Sequence, residues 1–382
     1  MKASKQLFSS VMKKPSDYPQ RETSLLLDDG IFTYFRDPGV PFYLPIGRNV
    51  LRNMYEVFLE EAETLGMSYI EIPTIMRDVV LEEGEDITDT FNERIVRLKS
   101  NSLVGFHLLT TPEPMILDLA FKSLNTHNQL PVRYVYNVDI VRGVQRPKGI
   151  LKGRQFKTFM GNSLDADKSS LEESLKLFEE LSDNIFEKLE VDIYKRRNQK
   201  GIDIEHFYFC AEGDNLVMPE IDSTDRVSAL SLSMAYHYNP KSKIKTRFRN
   251  NQNKNQRVLY ATFGLGTQRA FYALFDAHRD DRGFNLPQRL APFRYSLIPT
   301  SFADIPKMTE LYFLIKRKTI LDDREKINFG DKAKFSDYVG VPWKIIYGNG
   351  TFTIKNRAET ITQSAENTLK VMEILDRIEN EE

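Results

Sequence analysis

The segment 261–269 constrains the fold and chemistry of this chain more than any other stretch of its sequence. Its apolar run leads into Gly264 and Gly266, and a helical apolar pattern follows, so we predict a strand, a tight turn and a helix. Glycine has no Cβ, which lets the turn backbone approach a ligand closely. Arg269 adds a permanent cation beside the turn. These residues suit a phosphate, although a tight turn with a surface arginine would also account for them.

Composition narrows the possible classes of protein. The chain has 382 residues, enough for two or three domains, and a formal net charge of -1, so any contact with RNA must use local basic patches. Cys210 is the only cysteine, which excludes intrachain disulfides and Cys-rich zinc sites and fits a cytoplasmic protein. No apolar run reaches the roughly 18 residues of a membrane span, so we expect no membrane partner.

Hydrophobic periodicity predicts the order of the elements. We expect helices over 48–65 and 227–238, strands over 132–140, 154–160 and 258–263, and a basic loop over 143–152. Beyond residues 291–294, short strands alternate with helices, as in a small α/β domain. The sequence therefore predicts a mixed antiparallel α+β domain over 1–293 and an α/β domain over 294–382.

Three basic elements form a candidate nucleotide site. Arg142 follows the first predicted strand, Lys152 and Arg154 lie at the end of the basic loop, and Arg269 opens the helix after the glycine turn. Phe156 lies on the strand that returns from the loop. Such cations can meet phosphates while the ring stacks on a base, although a solvated basic loop is the alternative. The sequence has neither a P-loop signature nor a dinucleotide-binding fingerprint.

Several segments, in their order and spacing, resemble the class II aminoacyl-tRNA synthetases, and specifically the prolyl-tRNA synthetase branch. The similar segments are 47–73 (motif 1), 109–113 (the loop that holds the amino acid), 141–156 (motif 2), 264–269 (motif 3), and 321–324, 334–335, 340–342 and 348 in the anticodon-binding domain. The resemblance implies an antiparallel-sheet catalytic domain followed by an anticodon-binding-like domain. It also implies ATP-dependent formation of an aminoacyl-adenylate and transfer of the amino acid to tRNA, with ATP and Mg²⁺ required.

The resemblance assigns roles to the cationic residues. Arg142 would hold the α-phosphate and orient the substrate carboxylate. Lys152 and Arg269 would hold the γ-phosphate, with Arg154 as a further ATP-binding cation. Phe156 would stack on adenine. Charge grows on the phosphoryl oxygens during this reaction, so fixed cations would supply most of the catalysis, Arg142 and Arg269 above all.

The remaining site residues concern backbone approach and the amino acid. Gly264 and Gly266 would let the chain approach the nucleotide. Thr111 and Glu113 would bind the substrate ammonium, although Glu113 also suits the first turn of a helix without any ligand. No residue is assigned to a metal. The resemblance further implies a homodimer formed through residues 48–73.

The sequence departs from the branch at acidic positions. Motif 2 of the family usually has a glutamate two residues after its arginine, and here Val144 follows Arg142 at that spacing. Met160 lies where an acidic residue is expected, and residues 228–229 replace a Gly-Thr segment of the substrate wall. The cations that face ATP are kept, whereas the amino-acid pocket has changed.

Three functions remain open from the sequence. The first is a tRNA synthetase. The second is a synthetase paralogue that passes its amino acid to a non-tRNA acceptor. The third is a non-catalytic accessory subunit that dimerises and binds nucleic acid. The retained cations favour an enzyme and the missing glutamate favours the accessory subunit. Four basic residues of the terminal domain favour an RNA partner over a carrier protein if they share a face, although scattered basic residues are also typical of a solvated surface: Lys334, Lys344, Lys355 and Arg357.

Overall fold

The computed structural model describes residues 1–82, 93–199, 202–218, 226–238, 244–315 and 318–380. The chain divides into two compact units. The first contains Met1–Tyr34, Phe42–Met54 and Leu274–Glu382, and the second contains Phe35–Pro41 and Tyr55–Ala273. Residues 294–382 thus share a unit with N-terminal residues, and the division of the chain at residue 293 stays a prediction.

The helices and strands of the described residues follow in chain order. The strands are β1 Thr33–Asp37, β2 Val40–Tyr43, β3 Ser68–Tyr69, β4 Ile75–Arg77, β5 Phe106–Leu108, β6 Val132–Val141, β7 Gln155–Asp165, β8 Tyr194–Gln199, β9 Ile202–Val217, β10 Arg226–His237, β11 Arg247–Arg249, β12 Asn255–Arg257, β13 Leu259–Leu265, β14 Tyr295–Pro299, β15 Thr319–Leu321, β16 Trp343–Gly348, β17 Thr351–Asn356 and β18 Thr362–Ala365. The α-helices are α1 Thr23–Leu27, α2 Pro45–Thr64, α3 Glu113–Ser123, α4 Lys168–Leu189, α5 Thr267–Ala277, α6 Ile305–Ile315, α7 Phe329–Tyr338 and α8 Thr368–Asn380.

The second unit is built on a seven-stranded sheet. Its strand order is β3-β6-β7-β13-β10-β9-β8. All neighbouring strands are antiparallel except β3 and β6, which pair in parallel. This arrangement confirms the predicted antiparallel-sheet fold, and it places the predicted motif strands β6, β7 and β13 side by side.

The two faces of this sheet have different roles because side chains alternate along each strand. On one face, Phe263 of β13 stacks on Phe178 of α4 with ring centroids 5.6 Å apart. Gly161 of β7 lies under the same ring, where a Cβ would come within 2.9 Å of Phe178. The helix therefore covers this face closely, and the candidate site lies on the other.

Two helix predictions had different outcomes. The helix predicted over 48–65 is confirmed as α2, and Gly66 ends it with a φ of +73°. The helix predicted over 227–238 is wrong, because residues 226–237 form β10, an interior strand of the sheet. Leucine and serine alternate at residues 230–233, which is a strand pattern, and pairing with β9 and β13 on both sides outweighs local helix preference.

The first unit contains a five-stranded sheet of order β15-β14-β16-β17-β18. β14 is parallel to both its neighbours, and the outer pairs β16–β17 and β17–β18 are antiparallel. The N-terminal ammonium of Met1 donates a 2.6 Å hydrogen bond to the carbonyl of Thr319 at the edge of this sheet. The terminal strands and helices are therefore tied to the start of the chain.

Candidate functional site

A cavity of about 410 Å³ opens on the site face of the seven-stranded sheet. Eight of the predicted site residues line it: Thr111, Glu113, Arg142, Lys152, Phe156, Gly264, Gly266 and Arg269. The sheet positions several of them. Phe156 lies on β7, Gly264 on β13, and Arg142 directly after β6, so three neighbouring strands deliver residues that are far apart in sequence.

A buried carboxylate lines the cavity. Glu113 opens α3 and is 2% exposed. Its Oε2 accepts a hydrogen bond from the hydroxyl of Thr111. Its Oε1 accepts from the hydroxyls of Thr262 at 3.3 Å and Tyr236 at 3.4 Å. The hydroxyl groups orient the carboxylate, and none of these three donors carries a positive charge to neutralise it.

A second layer of polar groups supports this carboxylate. The side-chain amide of Asn162 donates to Thr262 at 2.9 Å, and Tyr136 donates to the amide oxygen of Asn162. Burial, and then the charge of Glu113, raise the pKa values of the Tyr136 and Tyr236 hydroxyls. Both phenols therefore stay protonated at neutral pH and remain hydrogen-bond donors.

Arg142 lines the same cavity as Glu113 and Phe156. Its Nε donates a 3.1 Å hydrogen bond to the carbonyl of Thr110, and its guanidinium lies over the Phe156 ring, 5.2 Å from the centroid. Burial lowers the pKa of Arg142 to about 10, while the charge of Glu113 raises it and that of Arg94 lowers it further. The side chain is still a cation at neutral pH. It already covers one face of the ring on which a base would stack.

Arg269 is fixed at the N-terminal turn of α5. Its Nε donates to the carbonyl of Leu151 at 3.2 Å and its Nη1 to the carbonyl of Ser231 at 3.0 Å. The neighbouring Gln268 donates to the carbonyl of Ile150 at 3.0 Å. These bonds join the helix to the basic loop 143–152, so motifs 2 and 3 of the sequence meet at one rim of the cavity.

The two glycines of the turn are not required by the packing of the protein itself. A Cβ on Gly264 would lie 3.5 Å from the sulfur of Met160, and one on Gly266 would lie 3.7 Å from the carbonyl of Leu232. Both distances are ordinary van der Waals contacts, and neither glycine has a positive φ. Their predicted role, close approach of the backbone to a nucleotide, therefore rests on the space that the absent side chains leave for a ligand.

The remaining predicted cations differ in position. Lys152 is exposed and lines the cavity. Arg154 does not line it: its Nε donates to the carbonyl of Val144 at 3.1 Å and its Nη1 to that of Pro38 at 3.0 Å. Arg154 thus secures the base of the loop, and its assignment to ATP stays a prediction.

Sequence reasoning missed several residues of the site. Tyr236 escaped because its segment was predicted to be a helix. Thr262 lies in the singled-out segment 261–269 but was given no role in the site, and Asn162 carries no motif. The exposed Arg94 also lines the cavity, and its carbonyl accepts a 2.9 Å hydrogen bond from the amide of Gly143. Val144 lines the cavity at the position where the family's glutamate is missing.

Two of the four basic residues proposed for an RNA contact are not available for one. Lys344 is 2% exposed and bonds to Asp337 at 2.7 Å. Arg357 is 6% exposed and bonds to both oxygens of Asp280. Of the four, Lys334 is exposed and Lys355 is half-buried.

The residues that the structure describes contain neither a metal-binding cluster nor a membrane-spanning helix. Within those ranges, no three His, Cys, Asp or Glu side chains come together in a way that could hold a metal ion. No helix among the same residues has the length and apolar character needed to cross a membrane.

Proline–tRNA ligases are similar to this chain along nearly its whole length. The ligase of Ehrlichia ruminantium (strain Gardel) is 24% identical over 398 residues, which cover 92% of this chain and 93% of the relative. That of Wolbachia sp. subsp. Drosophila simulans (strain wRi) is 21% identical over 406 residues, covering 94% and 96%. No protein-family model matches the chain.

Solved structures show the same likeness in the fold. Prolyl-tRNA synthetase of Giardia lamblia, in complex with prolyl-adenylate, has a TM-score of 0.72 at 19% identity, covering 92% of this chain and 75% of its own. The enzyme of Cryptosporidium parvum, complexed with L-proline and AMP, also has a TM-score of 0.72, at 17% identity, covering 97% and 78%. These similarities confirm the prolyl-tRNA synthetase-like resemblance and the class II fold.

Proposed function

We propose that this chain activates an amino acid with ATP and transfers it to tRNA. One observation carries the proposal: the wall of a single cavity holds both a buried carboxylate, Glu113, and the fixed guanidinium groups of Arg142 and Arg269. A carboxylate oriented only by neutral hydroxyls suits an ammonium group. Fixed cations suit the phosphates of a nucleotide.

The residues of the site divide the chemistry between them. The substrate carboxylate attacks the α-phosphorus of ATP, a bond from its oxygen to phosphorus forms, and the bond to the leaving pyrophosphate breaks. Arg142 lies over Phe156 in the cavity that Glu113 also lines, where it can orient the attacking carboxylate and stabilise charge on the α-phosphoryl oxygens. Arg269, held by two carbonyls, would stabilise charge on the leaving pyrophosphate, with Lys152 beside it.

Amino-acid specificity would follow from the wall next to Glu113. This wall includes Met160 of β7 and Met234 and Tyr236 of β10, which line the cavity from the two strands that flank β13. Proline is the first candidate because the relatives are proline–tRNA ligases. An apolar wall discriminates between similar side chains by only about 1–3 kcal/mol per methylene, so its changes can redirect the choice of amino acid while the ammonium contact is kept.

Other parts of the proposal concern cofactor, assembly and location. Mg²⁺ would arrive with the nucleotide, held mainly by phosphates and water, which requires no preformed cluster of protein ligands.

We also propose a homodimer and a cytoplasmic location. The apolar residues of α2 are buried within the chain and are not available for the dimer: Val50, Leu51, Met54, Val57, Phe58 and Ala62. We propose the exposed sheet edge at β3, with Tyr69, as the part of segment 48–73 that forms it. A monomeric mass in light scattering at micromolar concentration would exclude the dimer.

A non-catalytic accessory subunit is the second candidate, favoured by Val144 at the place of the family's glutamate. Pyrophosphate exchange into ATP, measured with each amino acid in turn, separates the two. We expect exchange with one preferred amino acid, and charging of tRNA with the same one. Exchange without charging would indicate a non-tRNA acceptor. No exchange with any amino acid, together with RNA binding, would indicate the accessory subunit.

A further inference from the structure

A bulge in β9 carries two carboxylates to α5, the helix whose Arg269 lines the cavity. Phe209 pairs with Ala229 of β10, and the next paired residue of β9 is Asn215, opposite Ser228. The five residues 210–214 between them therefore loop out of the ladder, which defines the acidic bulge. Such bulges re-aim side chains, and this one contains Glu212 and Asp214.

The acidic bulge is held firmly in place. Gly213 packs so closely on β10 that a Cβ would lie 2.5 Å from the amide nitrogen of Ala229. The hydroxyl of Tyr272 donates to Oε1 of Glu212 at 3.0 Å. Lys148, from the basic loop, donates to the carbonyl of Glu212 at 2.9 Å. The position of the next carboxylate, Asp214, is therefore set by contacts with β10, α5 and the basic loop.

This arrangement brings Asp214 to Arg269. Oδ2 of Asp214 lies 3.7 Å from Nη2 of Arg269, and the Asp214 side chain is 68% exposed. Tyr272 follows Arg269 by three residues on α5, so both contacts of the acidic bulge fall on one side of the helix. Nε and Nη1 of Arg269 are already held by the carbonyls of Leu151 and Ser231, so its position does not depend on Asp214.

We propose that Asp214 is a counter-charge on Arg269 that weakens the binding of the triphosphate and of released pyrophosphate. The proposal rests on the proposed function, because it takes Arg269 as a phosphate-binding cation. A wall of fixed cations binds product pyrophosphate as well as substrate. A carboxylate that pairs again with Arg269 competes with the product and so favours its release. An exposed ion pair opens at little cost, which keeps the site accessible to ATP.

The proposal predicts that removing this charge tightens binding. The two probes are inorganic pyrophosphate and a non-hydrolysable ATP analogue, with binding measured by calorimetry at fixed excess Mg²⁺. Asp214→Asn should lower both dissociation constants about two- to fivefold, which is the coupling expected of an exposed ion pair. The effect should shrink at high salt, because exposed charges are screened. Asp192→Asn, the same change at an exposed aspartate of the same unit, should leave both constants unchanged.

A double-mutant cycle isolates the pair. In an Arg269→Gln background, Asp214→Asn should have no effect on either constant. Unchanged or weaker binding in Asp214→Asn alone would overturn the proposal, and weaker binding that excess Mg²⁺ restores would identify Asp214 as a metal ligand instead. Absence of amino-acid-dependent exchange in the wild type would overturn the proposed function but not this inference, provided that the tightening is observed. A wild type that binds neither probe would overturn both.

Discussion

The hydroxyl of Thr262 donates a 3.3 Å hydrogen bond to Oε1 of Glu113, although 149 residues separate the two along the chain. Glu113 begins a helix, whereas Thr262 lies in the middle of β13. Tyr236 reaches the same oxygen from β10. The group proposed to bind the substrate ammonium is thus assembled from three distant segments, and each of them can be tested separately.

Replacing Glu113 by glutamine should remove the ammonium contact while keeping the size of the side chain. We expect kcat/KM for the preferred amino acid, in pyrophosphate exchange, to fall at least about 100-fold, because an amide leaves the buried ammonium without a counter-charge. Asp118→Asn is the matched control: Asp118 lies on the same helix and pairs with Lys122 outside the site. Wild-type kinetics for Glu113→Gln would mean that the ammonium is bound elsewhere.

Thr262 should matter through its hydroxyl group. Thr262→Val keeps the shape but removes the bond to Glu113 and leaves the amide of Asn162 without its 2.9 Å partner. An unsatisfied buried group costs about 1–3 kcal/mol, so we expect roughly a tenfold higher KM for the amino acid and little change in KM for ATP. Thr262→Ser, which keeps the hydroxyl, should stay near wild type. Equal kinetics of the valine and serine variants would contradict this role.

Arg142 and Arg269 should each contribute to the transition state. Substitution of either by alanine should cost at least about 3 kcal/mol in kcat/KM for exchange, as loss of a group that stabilises developing charge does. Arg247→Ala, at an exposed arginine of β11, serves as the control for loss of a positive charge. A loss below tenfold in either variant would exclude that residue from the catalytic step.

Arg324 should be needed for stability rather than activity. Its Nε and Nη2 bond to the two carboxylate oxygens of Asp322 at 2.7 and 2.5 Å, and Nη1 donates to the carbonyls of Ser9 and Met12. Removing one partner of a buried ion pair costs about 3–5 kcal/mol, so Arg324→Ala should lower the free energy of unfolding by that amount in urea titration. The exposed Arg377 gives the control, Arg377→Ala. A change below about 1 kcal/mol in Arg324→Ala would show that the pair is dispensable.

Asp29 should make stability fall as the pH rises. Burial raises the pKa of Asp29 from 3.8 to about 7, although the amide of Ile31 and the charge of Arg21 oppose this. Between about pH 4 and 7 the folded protein keeps a proton that the unfolded chain has released, so unfolding becomes easier with rising pH. Asp29→Asn should flatten the dependence of the unfolding free energy on pH over this window, and Asp281→Asn, at an exposed aspartate, should not. The same slope in wild type and Asp29→Asn would rule the assignment out.

Much of the candidate site could be predicted from the sequence. The glycine turn and Arg269, the basic loop and Phe156 were placed on the correct elements, and the structure brings them to one cavity. Arg154 shows the limit of this reasoning, since its side chain bonds to the carbonyls of Val144 and Pro38 outside the cavity lining. A motif fixes the position of a residue in the chain, whereas the direction of a long side chain depends on which acceptors are near.

The sequence by itself determined the elements whose signals are local. A helix such as α2 follows from its periodicity and from Gly66, which ends it. Only the tertiary structure decided that residues 226–237 form an interior strand, that Thr262 and Tyr236 contact Glu113, and that Asp214 reaches Arg269. These contacts depend on the register between strands that are distant in sequence, and a shift of one residue would turn each side chain to the opposite face of the sheet.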